Sequence, residues 1–103
     1  MLLELRAASR KTPLDGRFEI AEATASRLSA LGGLIPIVVD DAAGTAYVER
    51  MPCTCLKSGG TNAHEHLFLV SDLLRSAIPE RIYALELDDS GGVRMTRSHD
   101  GLL

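Results

Sequence analysis

The brevity of its apolar runs constrains this chain most. Residues 2–8 (LLELRAA), 34–39 (LIPIVV), 64–70 (HEHLFLV) and 81–87 (RIYALEL) are strand-length, and each is bounded within a few positions by Gly, Pro, Asp or Ser. In the first run Leu3 and Leu5 fall on one face and Glu4 and Arg6 on the other. Arg17–Ile20 reads as a short extended segment, 45–56 (TAYVERMPCTCL) as a long strand interrupted near Pro52, and 92–97 (GVRMTR) as the second strand of a hairpin. Pro36 favours an edge or strand-start position. The stretch 9–16 (SRKTPLDG) reads as a loop, and the Asp40-Asp41 and Asp88-Asp89 segments as turns too short and ligand-poor for a calcium loop.

Only two segments suit helices. Residues 21–31 (AEATASRLSAL) place Leu28 and Leu31 on one side before the Gly32-Gly33 stop. Ser71 can cap a helix over 72–78 (DLLRSAI), which Pro79 ends. The expected fold is α+β: a mainly antiparallel, partly closed β-barrel with two short helices.

A chain of 103 residues has room for one domain, spanning 1–103. Its aromatic residues are Phe18, Tyr47, Phe68 and Tyr83, with no Trp, so the core should be mostly aliphatic. A net charge of −3 argues against a strongly basic nucleic-acid surface, though not against a local basic patch. No run approaches the roughly 20 apolar residues that cross a bilayer, so no membrane partner is expected. The start lacks a basic region, and its apolar run breaks at Glu4, which makes a poor signal peptide. Cys53 and Cys55 are too close in sequence for an unstrained disulfide and read as reduced thiols or ligands, which points to the cytoplasm.

The two halves share an order: short strand, helix, apolar strand, Asp-Asp turn, second strand. Phe18 matches Phe68, Ile20 matches Val70, Leu28 matches Ile78, Ile37 and Val39 match Leu85 and Leu87, and Val48 matches Met95. One reading is an internal pseudo-twofold repeat. The other is convergence of common hairpin chemistry.

Cys53-Thr54-Cys55 and His64-Glu65-His66 flank a Gly-rich turn. A four-residue turn over 58–61 would set Cys55 opposite His64 and Cys53 opposite His66, all on one hairpin face. Two thiolates and two imidazoles are a zinc donor set, although ideal strands offer a flat rectangle rather than a tetrahedron. Held by the histidines alone, copper or iron is the alternative metal. The alternative has buried thiols and partly exposed histidines. The H-x-H pair also resembles the metal-holding strand of cupin-fold proteins, which implies a small metalloenzyme using His64 and His66 with Asp72 or Glu65 as the acid and His99 as a later ligand. A Cys–His nucleophile pair drawn from the same residues lacks a visible oxyanion site.

Arg10, Lys11 and Arg17 cluster around the first loop, and Arg94 and Arg97 are expected to share a face of the last strand. They read either as phosphate contacts or as a solvated mixed-charge surface. GRFEIAEATASRLSAL followed by LIPIVVDD and TAYVER resembles the swapped-hairpin barrels of AbrB-type regulators and the related DNA-binding pseudobarrels, which include plant B3 domains and restriction-enzyme effector domains. The likeness lies in element order and hydrophobic spacing; Phe18-Glu19-Ile20-Ala21 stands where those regulators show Arg-Ile-Pro. It implies a barrel, duplex DNA as a partner and, for the swapped-hairpin class, a homodimer. The expected role is a small non-catalytic regulatory or recognition module, zinc-stabilised, with the metalloenzyme and an acidic protein-interaction subunit as alternatives.

Overall fold

The computed structural model describes residues 1–52 and 65–97. Along the chain lie β1 (Leu2–Ala7), α1 (Thr12–Asp15), β2 (Arg17–Ile20), α2 (Glu22–Ser29), β3 (Ile35–Val39), β4 (Ala42–Pro52), β5 (Glu65–Val70), a 3-10 helix (Asp72–Ser76), β6 (Ile82–Leu87) and β7 (Val93–Arg97). The strands form one sheet in the order β1-β6-β7-β3-β4-β5-β2, rolled into a nearly closed barrel. The sheet is mixed and not the mainly antiparallel one expected, because β3 and β7 run parallel at its centre. Pro36 is accommodated in this inner strand because the parallel ladder begins only at Ile37. There Gly92 passes so close that a Cβ on it would lie 2.9 Å from the Pro36 carbonyl oxygen.

The core is aliphatic as expected, with Leu28, Ile35, Ile37, Leu69, Leu74 and Leu85 fully buried around two aromatics. Phe18 meets Tyr83 edge-on, with ring centroids 6.1 Å apart. Phe68 and Tyr47 lie on the outer face instead. No helix among the described residues is long and apolar enough to cross a membrane.

β1 and β2 are the two ends of the sheet, and a side chain of β1 reaches the residues that follow β2. Glu4 on β1 accepts hydrogen bonds from the Ala21 N–H (2.9 Å) and the Thr24 hydroxyl (2.7 Å), at the start of α2. Arg6 holds its other carboxylate oxygen. A register shift between Leu2 and Glu4 reverses the expected alternation: Glu4 turns inward, and Leu5 is 59% exposed. Burial pushes the Glu4 carboxyl pKa up, but hydrogen bonds from Ala21, Thr24 and Arg6 outweigh it and leave the pKa below the ordinary value.

Three local expectations are corrected. The loop at 9–16 contains α1, one helical turn with Pro13 near its start and Gly16 (φ +70°) as its left-handed cap. Ser71 caps as expected, accepting from Leu73 N–H at 3.3 Å, but the helix after it is 3-10 and stops at Ser76. The repeat keeps its element order, but the matched residues do not keep their faces: Phe18 is buried and Phe68 half-exposed. Nor is the pairing two-fold, since β4 pairs with β3 and β5, whereas β7 pairs with β6 and β3.

The Glu4 contribution is present above its unfolded pKa of about 4.3 and fades as pH falls through the lower folded value. Glu4→Gln should therefore cost about 1–3 kcal/mol at pH 7. In urea unfolding its deficit relative to the parent should shrink below about pH 4; a deficit that stays constant with pH would exclude this role of the carboxylate.

Candidate functional site: paired turns at one end of the barrel

Two β-turns stand side by side where β1 ends and β6 begins. In the first, Thr12 N–H donates to the Ser9 carbonyl (3.2 Å), which places Arg10 and Lys11 at the two central positions. The Ser9 N–H donates to Thr12 Oγ1 and the Lys11 N–H to Ser9 Oγ, both at 3.2 Å, and Thr12 itself is fully buried. The turn is thus tied internally and anchored in the core. In the second, Arg81 N–H donates to the Ile78 carbonyl (3.2 Å), with Pro79 and Glu80 in the middle. Pro followed by a residue at positive φ is the pattern of a type II turn, where Gly or Asn normally takes the second place. Here Glu80 takes it, at φ +70°.

The turns are laced together: Ala8 N–H donates to the Arg81 carbonyl at 2.9 Å, and Glu80 N–H to the Ala8 carbonyl at 2.7 Å. From below, the hydroxyl of buried Tyr83 accepts from the Ile78 N–H at 3.1 Å. The pair therefore presents Arg10, Lys11 and Arg81 against the single acid Glu80, on a chain whose net charge is −3. Among the described residues none of these four takes part in an ion pair.

The other expected phosphate contacts are placed differently. Arg17 lies on the outer face of β2, 2.6 Å from Glu49 and 3.7 Å from Asp15. The hydrogen bond to Glu49, more than any other influence, raises its pKa. Arg94 and Arg97 do not share a face, because strand residues three apart point oppositely. Arg97 ends β7 near the paired turns but is 3.6 Å from Asp40. Arg94 is exposed near the other end, beside the 88–92 turn, where Asp88 is held below the usual carboxylate range chiefly by the Ser90 hydroxyl. Sequence reasoning missed Arg81 and Glu80 because Pro79 reads there only as a helix stop. The available signal was Pro-Glu-Arg immediately before a strand.

Of the four expected metal ligands, Cys53, Cys55 and His64 lie outside the described residues. His66 is opposite Met51, and Glu65 opposite Pro52, so the register differs by two residues from the pairing of His66 with Cys53. Its Nδ1 is 2.8 Å from Glu19 Oε2. Among the described residues no three His, Cys, Asp or Glu side chains gather as a metal site. Asp72 lies six residues past His66 at the other end of β5, about 20 Å along an extended chain, so it does not serve as the acid beside that histidine. The other expected co-ligand, Glu65, is exposed and 3.5 Å from Arg50, and His99 lies outside the described residues.

Two clefts flank Arg17 on the outer face. One of about 520 Å³ is lined by Leu14, Leu34, Tyr47 and Arg75 among others. The other, about 370 Å³, runs from Lys11 past Arg17 and Glu19 to His66 and Phe68. The second balances Lys11, which it shares with the paired turns, and Arg17 against Asp15 and Glu19, whereas the paired turns add Arg10 and Arg81 against Glu80 alone. Comparison of the chain with known protein families, characterised proteins and solved structures finds no match.

Two substitutions should move stability in opposite directions. Tyr83→Phe strands the Ile78 N–H and should cost about 1–2 kcal/mol. Glu80→Gly removes the left-handed penalty and should add up to about 1 kcal/mol. Chemical denaturation reads both; a loss of stability in Glu80→Gly would contradict the strained turn.

Proposed function

We propose that this chain is a small non-catalytic recognition module that binds duplex DNA through the paired turns. The observation that carries this reading is the convergence of Arg10, Lys11 and Arg81, without acid partners among the described residues, on two turns laced by backbone hydrogen bonds. Phosphate contacts from Arg and Lys position a protein on the duplex, and the paired turns lie together at the β1–β6 end of the barrel. The resemblance of the element order and hydrophobic spacing to AbrB-type and pseudobarrel domains supports the same reading.

Zinc is the second part of the reading. Cys53, Cys55, His64 and His66 form a structural zinc donor set, and the Glu19 carboxylate on His66 Nδ1 supports it. Such a carboxylate fixes the tautomer and orientation of zinc-bound histidines.

Three phosphate contacts predict a slope of about −2.7 for log K against log salt, or roughly a 40-fold affinity loss between 50 and 200 mM salt. Replacing Arg10, Lys11 and Arg81 with Ala should flatten that slope, whereas Arg94→Ala should leave it unchanged. Salt-independent binding, or none, would overturn the DNA reading. For the metal, protein made in zinc-replete medium should carry about one zinc per chain, lost in a Cys53→Ser, His66→Ala variant. A metal-free protein ends the zinc reading and leaves the DNA reading standing.

A further inference from the structure

We infer that Glu80 is the base-reading residue of the paired turns, accepting a hydrogen bond from the exocyclic amine of cytosine in the major groove; this rests on the DNA reading above. Glu80 stands at φ +70° in the turn position that Gly or Asn normally fills. A glutamate there has neither glycine's freedom nor the short side chain with which Asn and Asp stabilise that conformation locally. The turn itself does not need its carboxylate. The backbone N–H of Glu80 makes the 2.7 Å bond to Ala8, and any residue other than proline supplies that donor.

The side chain is exposed and makes no hydrogen bond or ion pair among the described residues, although Arg81 is its neighbour and Arg10 and Lys11 share the adjoining turn. A carboxylate in that position opposes phosphate, so it weakens every encounter held by the backbone alone. It becomes favourable where a base offers a donor. Cytosine offers its N4 amine, and carboxylates accept from it. Adenine also offers an amine, but beside the N7 acceptor, whose lone pair repels a carboxylate. The three cations would then set the position and Glu80 the sequence, a division of labour common to protein–DNA interfaces.

The test compares the parent chain with Glu80→Gly and Glu80→Gln on a set of short duplexes randomised at the central positions, at fixed salt. The parent should prefer sites with cytosine at one central position by about 5- to 150-fold, the range for a good base contact. Both variants should lose that preference and bind unselected duplexes more tightly than the parent does. Circular dichroism and denaturation confirm that the variants are folded. Variants that gain affinity while keeping the parent's preference would overturn the role of Glu80 alone. A parent chain without salt-dependent binding to any duplex would overturn the DNA reading, and this inference with it.

Discussion

A sheet rolled from seven strands has two edges, and unless they pair, each leaves a row of unmet backbone groups. In this protein the Glu4 carboxylate on edge strand β1 reaches the residues that follow edge strand β2, holding the Ala21 N–H and the Thr24 hydroxyl at the start of α2. The same contact fixes the entry of α2, whose N-cap residue Ala21 has no side-chain acceptor of its own. Arg6 supplies the countercharge from two residues away. The outward turn of Leu5 follows from this arrangement, because the register shift that brings Glu4 inside sends the next residue out.

On its other side β1 pairs antiparallel with β6, and the paired turns depend on that pairing. Ala7 pairs with Ile82, so the chain leaves β1 and enters β6 at the same point. Both connections make tight turns there. Thr12 anchors the first in the core, and the Tyr83 hydroxyl anchors the second. Three cations are thereby presented on backbone that is internally bonded, so little ordering remains to oppose binding of an extended anion. At the Gly16–Ser71 junction, where the Ser71 N–H donates to the Gly16 carbonyl at 3.0 Å, α1 is pressed against the 3-10 helix behind these turns.

The strands were largely legible because alternation and turn residues speak locally. β2, β3, β6 and β7 fall within a residue or so of their expected positions, and the aliphatic core follows from the scarcity of aromatics. What escaped depends on contacts distant in sequence. The inward Glu4 is set by a helix start 17 residues away, which no local pattern reveals. The parallel β3–β7 pairing is a topological choice that two hairpins leave open. The mismatch between Phe18 and Phe68 has the same origin: a one-residue difference in register reverses a strand's faces, and both residues are equally apolar in the sequence. For the site, Arg10 and Lys11 could be read as a basic cluster, but Arg81 joins them only through the β1–β6 pairing. Arg17 looked equivalent to them in sequence and is instead bound to Glu49 across the sheet.

The claim that the paired turns are the binding surface is tested most directly by titrating isotope-labelled protein with a short duplex and following backbone amide shifts. The account predicts that the largest changes fall on Ala8–Lys11 and Glu80–Ile82 and diminish as salt is added. Changes centred on the outer face of β2, β5 and β4, or on the 88–92 turn beside Arg94, would contradict it.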